Sequence, residues 1–201
     1  MTDDDFKIVM IGSSTGGLPV IEGILKTLNR DRYAVLIAQH MPEGYTGMWA
    51  ERLNIHTDFS VSEGSDSEEV MPGKVYIAPG NRHMVLENKK PYRIRITEDP
   101  PVNRFRPSID VLFASASAHE RSQIIVIILT GMCDDGVNSM LELRGKGFVT
   151  IAQDKDTSVV FGMNREAIDR GAAEFVFSPD EMVEYLNGME DERGPRKNQA
   201  N

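Results

Sequence analysis

Three residues that can carry out nucleophilic catalysis each follow a short apolar run in this 201-residue sequence. They are Ser14, His40 and Asp135, which follow the runs at residues 7–11, 34–39 and 124–129. In a hydrogen-bonded chain of these types, the histidine takes the serine proton as the hydroxyl attacks a carbonyl, and the carboxylate orients the imidazole. The chain order Ser, His, Asp and the absence of G-x-S-x-G argue against an ordinary α/β-hydrolase. The pattern therefore predicts a serine hydrolase of another kind.

Ser14 lies in a turn of small residues, I-G-S-S-T-G-G, at residues 11–17. A strand is predicted before this turn and a helix after it, so the hydroxyl would lie near the free N–H groups at the amino end of the helix. Those groups and the helix dipole can stabilise an oxyanion. A phosphate-binding loop is the alternative, because glycine-rich turns at helix starts also cradle phosphates. The glycines do not fit G-x-G-x-x-G and no P-loop lysine follows, but the turn alone leaves open these two interpretations and that of a purely structural turn.

His40 is the histidine best placed to act as a base, because it alone closes a predicted central strand. In open α/β sheets, ligands gather at the carboxyl ends of such strands. The other three histidines are His56 in a polar loop, His83 at a strand start and His119 at a helix end. Asp134 and Asp135 precede a predicted helix, where paired aspartates usually act as caps, and at least one of the two is expected to do only that.

The elements that must position these residues alternate between strands and helices. Strands are predicted at residues 7–11, 34–39, 124–129 and 148–152, where Ile- and Val-rich runs without alternation are typical of strands covered on both faces. Helices are predicted at residues 18–28, 46–53, 108–118 and 136–143. This βα alternation predicts a doubly wound, mainly parallel α/β sheet with helices on both faces.

The remaining segments predict a single domain with two distinct features. Residues 59–97 contain short runs broken by Pro-Gly turns, which favour hairpin-like strands in or beside the sheet. Ser178, Pro179 and Glu181 form a predicted capping box for a last helix that ends near residue 187. We expect the domain to occupy residues 1–189, followed by a disordered polar tail at residues 190–201.

Composition narrows the classes of partner and compartment. A formal net charge of -9 and a pI near 5.0 argue against nucleic acid, since phosphate binding needs a clustered basic surface. A lone cysteine, Cys133, excludes an internal disulfide and suits a reducing compartment, so we expect a cytoplasmic protein. No signal peptide, membrane-inserting run or metal-ligand spacing occurs, so we predict neither membrane insertion, nor a metal, nor another cofactor.

Six ordered motifs resemble the catalytic domain of the chemotaxis-receptor methylesterases (CheB). They are IGSSTGG, QHMPEGYT, VYIAPGNRHM, VNRFRPSIDVLF, ILTGMCDDG and VVFGMNREAI, which together extend over most of the chain, from about residue 6 to about residue 186. The resemblance implies that Ser14 is the nucleophile, His40 the base and Asp135 the acidic member. It also implies an oxyanion hole built from the backbone N–H groups of Met132 and the Ser14–Thr15 turn. Without the resemblance, Met132 would be interpreted as a core residue.

The resemblance implies hydrolysis of γ-glutamyl methyl esters on cytoplasmic chemoreceptor helices through an acyl-enzyme, with receptor glutamine deamidation as a further activity. Family members typically carry an amino-terminal receiver domain. Because the first predicted strand begins within ten residues of Met1, we expect an excised domain or an enzyme controlled by a separate receiver or regulatory protein.

Three positions depart from the family pattern. Cys133 and Asp134 stand where glycine and asparagine are usual, and Asn164 replaces a proline. A cysteine is poorly tolerated where glycine has a positive φ, and a second carboxylate would raise the pKa of the histidine. Two alternatives to the esterase stand: a nucleotide-binding α/β protein, in which the Gly16-Gly17 turn holds phosphate, and a docking module without catalytic activity, which the altered Cys133-Asp134 turn suggests.

Overall fold

The computed structural model describes residues 6–189, which form nine strands and six helices. The strands are β1 (Lys7–Ser13), β2 (Tyr33–Gln39), β3 (Ser60–Glu63), β4 (Lys74–Ile77), β5 (His83–Leu86), β6 (Ile94–Thr97), β7 (Ile124–Ile128), β8 (Val149–Gln153) and β9 (Phe175–Phe177). The helices are α1 (Gly17–Thr27), α2 (Tyr45–His56), α3 (Ile109–Ala116), α4 (Val137–Gly145), α5 (Met163–Asp169) and α6 (Pro179–Gly188). The predicted tail at residues 190–201 lies outside the described residues.

Seven strands form one parallel sheet in the order β3-β4-β2-β1-β7-β8-β9. From β1 the chain builds outward to one side through β2, and it later returns to add β7 on the other side of β1. Strand order therefore reverses at β1, and the carboxyl ends of β1, β2 and β7 frame the crevice where ligands bind in such sheets. The predicted doubly wound α/β fold is confirmed.

Helices cover both faces of the sheet, and the sequence explains why. Every residue of β2 and β7 is buried, which is possible only for strands that contact a helix layer on each side. One core cluster joins one face to α3, α4 and α5, and a second joins the other face to α1, α2 and α6. Each isoleucine of β7 contributes about 1.5–3 kcal/mol by its burial.

The expectation of hairpins throughout residues 59–97 is wrong for the first half of that segment. Strands β3 and β4 pair with each other in parallel, and β4 pairs in parallel with β2. The reason is burial: Val75, Tyr76 and Ile77 are inaccessible to solvent and extend the main sheet. Strands β5 and β6 do form an antiparallel pair, with His83 opposite Thr97.

The last helix has the predicted start. Ser178 Oγ accepts a hydrogen bond from Glu181 N–H, the Glu181 carboxylate accepts one from Ser178 N–H, and Pro179 is the first helical residue. Helix α5 and strand β9 were not predicted, because both are too short to show a period. Within residues 6–189, no helix has the length and apolarity needed to cross a membrane.

Candidate active site

The parallel register brings Ser14 and His40 together. Strands β1 and β2 pair in register up to Ser13 and Gln39, so the residues that follow, Ser14 and His40, leave the sheet side by side. His40 N–H donates to Ser13 O over 3.1 Å, and Ser14 N–H donates to Thr130 O, beyond β7, over 3.1 Å. The predicted nucleophile and base are thus adjacent at the carboxyl edge of the central strands.

Asp135 contacts the imidazole of His40 from the loop between β7 and α4. His40 Nε2 lies 2.8 Å from Asp135 Oδ2, and the two side chains are 7% and 0% exposed. An ionised carboxylate only accepts hydrogen bonds, so Nε2 carries the proton. The neutral imidazole is then unprotonated at Nδ1, which is buried and has no hydrogen-bond partner among the described residues. His40 therefore presents a free, basic Nδ1.

The predicted hydrogen bond from Ser14 Oγ to His40 is not formed in this structure, since no described residue donates to Nδ1. Ser14 Oγ turns about one torsion angle, and catalytic hydrogen bonds are often long or absent until substrate binds. The structure thus brings the turns that carry Ser14, His40 and Asp135 together. Of the two hydrogen bonds expected to link these residues, the one between His40 and Asp135 is formed.

The amino end of α3 holds the Asp135 carboxylate. Oδ1 accepts from Ser108 Oγ at 2.8 Å, and Oδ2 accepts from Ile109 N–H at 2.7 Å. Asn103 Nδ2 donates to Oδ1 at 2.9 Å. Burial alone would raise the pKa of Asp135, but the hydrogen bonds from His40, Asn103, Ile109 N–H and Ser108 outweigh it and lower the pKa. Asp135 is therefore ionised at neutral pH and fixes the tautomer of His40.

A tight turn at residues 102–105 supports both members of this pair. Asn103 and Arg104 have φ of 52° and 71°, and Val102 and Phe105 exchange backbone hydrogen bonds, as in a type I′ turn. The turn directs Asn103 to Asp135 and stacks the Phe105 ring on His40, with centroids 3.7 Å apart and planes 2° from parallel. Both residues belong to the sequence motif VNRFRPSIDVLF, but neither contact was predicted from it.

Two backbone N–H groups near Ser14 are available for an oxyanion. Among the described residues, neither Thr15 N–H nor Met132 N–H donates to a protein acceptor, whereas Ser14 N–H is committed to Thr130 O. Gly131 lies so close that a Cβ there would come within 2.7 Å of Ser14 Cβ, which places the start of the Met132 loop against the serine. The Met132 side chain is 74% exposed, so its interpretation as a core residue is wrong.

The glycine pair after Ser14 has a structural explanation that needs no phosphate. A Cβ at Gly17 would approach Ser13 Oγ to 2.6 Å, and Gly16 has a φ of 86° as the N-cap of α1. Gly17 is therefore required for packing α1 onto the ends of β1 and β2, and Gly16 for the positive φ at the start of α1 and the close approach of Val159. The nucleotide-binding alternative loses the observation that motivated it.

The two unusual residues beside Asp135 leave the pair intact. Cys133 has a φ of 158°, which is close to extended backbone and avoids the left-handed region. Burial raises the pKa of its thiol, with the neighbouring aspartates adding to the effect, so the thiol stays protonated. The Asp134 carboxylate accepts from Arg170 Nη2 at 3.2 Å. It is therefore engaged with α5 rather than with the imidazole.

Two of the remaining histidines have hydrogen-bond partners of their own, whereas the buried Nε2 of His119 has none among the described residues. His83 Nδ1 accepts from Ser108 N–H at 3.2 Å and its Nε2 donates to Pro100 O, so it supports the start of α3. His56 contacts the carboxylate of Glu22, whose side chain is 13% exposed. Among residues 6–189, no group of three or more His, Cys, Asp and Glu side chains is arranged to hold a metal ion.

Comparison with known proteins places this geometry in context. The family model described as CheB methylesterase matches residues 9–186. The protein-glutamate methylesterase/protein-glutamine glutaminase 1 of Geobacter metallireducens is 44% identical over 94% of this chain and 53% of its own length. The protein-glutamate methylesterase/protein-glutamine glutaminase of Chromohalobacter salexigens is 51% identical over 83% of this chain and 48% of its own length. The chain spans about half the length of these curated relatives.

A solved structure is similar over nearly its whole length. The crystal structure of the Thermotoga maritima CheB methylesterase catalytic domain superposes with a TM-score of 0.86 at 37% identity. The match covers 90% of this chain and 97% of that domain.

Proposed function

Because this chain belongs to the CheB methylesterase family, we propose that it hydrolyses γ-glutamyl methyl esters on the cytoplasmic helices of chemoreceptors. The observation that carries the proposal is the His40–Asp135 contact, in which Nε2 carries the proton and Nδ1 is left without a hydrogen-bond partner among the described residues, on a turn whose backbone lies next to that of Ser14. A base held in this tautomer is what a serine hydroxyl needs to become a nucleophile at neutral pH. Because these receptor helices are cytoplasmic, the proposed site of action is the cytoplasm.

Acylation begins when substrate binding turns Ser14 Oγ toward His40 Nδ1. Oγ attacks the ester carbonyl carbon as Nδ1 takes its proton, and the imidazolium that forms is stabilised by the ionised Asp135. The carbonyl oxygen becomes an oxyanion that accepts hydrogen bonds from Thr15 N–H and Met132 N–H, near the positive end of α1. The fixed donors favour the tetrahedral state over the planar ester.

Collapse of the tetrahedral intermediate breaks the bond to the methoxy oxygen. His40 Nδ1–H protonates that oxygen, methanol leaves, and the glutamyl side chain remains esterified to Ser14. A water molecule then attacks the acyl carbon as Nδ1 accepts its proton. Breakdown of the second intermediate returns that proton to Ser14 Oγ and frees the γ-carboxylic acid, which loses its own proton to solvent. Relatives named as glutaminases motivate the same route for receptor glutamines, with ammonia as the protonated leaving group.

The substrate is a helical protein, so the surface around Ser14 must accept a helix. Met132 and Val159 are 74% and 68% exposed, and Val159 packs so close to Gly16 that a Cβ on Gly16 would meet it. Two large apolar side chains left in solvent beside the nucleophile suit contact with a partner. We propose that they border the surface on which the receptor helix docks.

The direct test of this function is methanol release from methylated chemoreceptor membranes by the purified chain. The proposal expects release that is stoichiometric with the methyl groups lost from the receptor. The docking-module alternative expects receptor binding without methanol. The nucleotide-binding alternative expects no methanol, together with an increase in Tm on addition of nucleotide.

The Asp135→Asn variant is expected to lose about 10⁴-fold in kcat. An asparagine amide that donates toward His40 forces Nε2 to accept, so the proton moves to Nδ1 and the base is lost. Steady-state methanol release measures the effect. A loss below about tenfold would contradict the role of Asp135.

The same substitution changes the acid stability of the fold. Because hydrogen bonds lower the pKa of Asp135 in the folded state, its ionised form stabilises the protein at neutral pH. That contribution is lost as the pH falls through the lowered pKa. Thermal melts of Asp135→Asn should therefore show a lower Tm than the parent chain at neutral pH and a smaller difference in strong acid.

The Asp134→Asn variant is the matched control, because it makes the same chemical change one residue away. Asp134 is 55% exposed and pairs with Arg170, which keeps Glu166 as a partner. Such surface pairs are screened by solvent and contribute little to stability. We expect kcat within about threefold of the parent chain and little change in Tm. A loss as large as that of Asp135→Asn would mean that the charge, and not the contact with His40, matters.

A further inference from the structure

The side chain of Gln39 lies between the two turns that carry the nucleophile and the base. It is 2% exposed, at the last position of β2. Its Nε2 donates to Ser14 O at 3.0 Å and to His40 O at 3.3 Å. Its Oε1 accepts from Ser13 Oγ. One amide thus joins the backbone on both sides of the site.

Gln39 makes these contacts from the face of the sheet opposite to α3. Side chains alternate along a strand, so Gln39 points toward α1 while His40 meets Phe105 and Asp135 on the other side. Gly17, the first residue of α1, covers it: a Cβ there would come within 2.8 Å of Gln39 Oε1. The amide is therefore outside the surface that a substrate reaches.

The chemistry of the contacts requires an amide of this length. Two carbonyl oxygens need two N–H donors, and the Ser13 hydroxyl needs an acceptor; the glutamine side chain supplies all three. Glutamate supplies no donor when ionised, and methionine has the same reach but neither donor nor a strong acceptor. Either replacement removes a donor from Ser14 O, which keeps Gly17 N–H, and from His40 O, so the side-chain link between the turns carrying Ser14 and His40 is lost.

Building on the proposed function, we propose that Gln39 is a positioning residue for ester hydrolysis, because its amide fixes the separation of Ser14 and His40. Near-attack geometry is demanding: a displacement of about 1 Å costs about 10²-fold in rate. Since Gln39 does not reach the substrate surface, its loss lowers kcat and leaves KM nearly unchanged. A purely structural role would lower the Tm without this selective loss of kcat.

The experiment compares Gln39→Met with Thr150→Val. Thr150 is a fully buried polar residue of β8 whose hydroxyl donates to Ala172 O at 2.8 Å, away from the site. Both variants remove a buried hydrogen-bonding side chain from the same sheet. The readouts are Tm, kcat and KM for methanol release, and the rate of labelling by a serine-directed fluorophosphonate.

We expect Gln39→Met to lose about 10- to 100-fold in kcat and in labelling rate, with KM within about threefold, while Thr150→Val keeps the parent kcat. A Gln39→Met variant that folds and keeps the parent kcat overturns the inference. An equal loss of kcat in Thr150→Val overturns it as well. If Gln39→Met does not fold, Ser13→Ala decides, because it removes only the anchor of Oε1. A kcat loss of about threefold or more supports the inference, and the parent kcat overturns it.

The two proposals fail in different ways. A parent chain that neither releases methanol nor reacts with the fluorophosphonate contradicts the proposed function. An active parent chain whose Gln39→Met variant is equally active contradicts only the positioning role of Gln39.

Discussion

Replacement of Ser14 by alanine is expected to lower methanol release by about 10⁶-fold while leaving the fold intact. Ser14 Oγ supplies the only atom that bonds to the acyl group in the proposed route. Within the described residues its hydroxyl makes no hydrogen bond, so its removal leaves no buried group unpaired. The measurement is methanol release from methylated receptor, together with a thermal melt.

Ser13→Ala is the matched control for this substitution. Ser13 is the neighbouring serine, but it is fully buried and its hydroxyl is bound by Gln39. We expect it to keep at least about a tenth of the parent kcat, because it acts only through Gln39. If Ser13→Ala were inactive and Ser14→Ala active, the nucleophile would be misassigned.

Replacement of His40 by glutamine is expected to cost about as much as loss of Ser14, near 10⁶-fold in kcat. The glutamine amide can still donate to Asp135, but it offers no base for the serine proton. The Asp135 carboxylate also keeps its contacts with Ser108, Ile109 N–H and Asn103, so the site retains its shape. Steady-state methanol release by the folded variant gives the value.

The double variant Ser14→Ala, His40→Gln provides the control. Substitutions of residues that take part in the same proton transfer have non-additive effects on kcat, so the double variant should be no slower than either single variant. If the kcat loss of the double variant equalled the product of the two single losses, a shared proton transfer would be contradicted. Retention of substantial activity by His40→Gln alone would show that another group accepts the serine proton.

The sequence was sufficient to predict the sheet and to place Ser14 and His40 at its carboxyl edge, because buried strands are visible in the local sequence. The runs at residues 8–11 and 34–38 are apolar throughout, which placed Ser14 and His40 at carboxyl ends of central strands. Strands β3 and β4 were mistaken for hairpins, since Pro72-Gly73 breaks the segment and nothing local shows that each strand pairs in parallel.

The supports of the site could not be predicted, because they depend on contacts between distant segments. Asn103 reaches Asp135 only through two consecutive residues of positive φ, and such a conformation is rare for arginine, costing about 1–2 kcal/mol. The hydrogen bonds of Gln39 follow from the register of β1 against β2, and that register cannot be predicted from the sequence alone. The Ser108 hydroxyl donates to Asp135, whereas the local sequence pattern predicted only that a helix starts there.

Mass spectrometry of the fluorophosphonate-treated chain tests the central claim most directly, since an adduct forms only on a serine that a base has activated. The account predicts one adduct, on Ser14, whose formation slows by several orders of magnitude in His40→Gln. An adduct on Ser13, labelling that is unchanged in His40→Gln, or no adduct on a folded chain would contradict it.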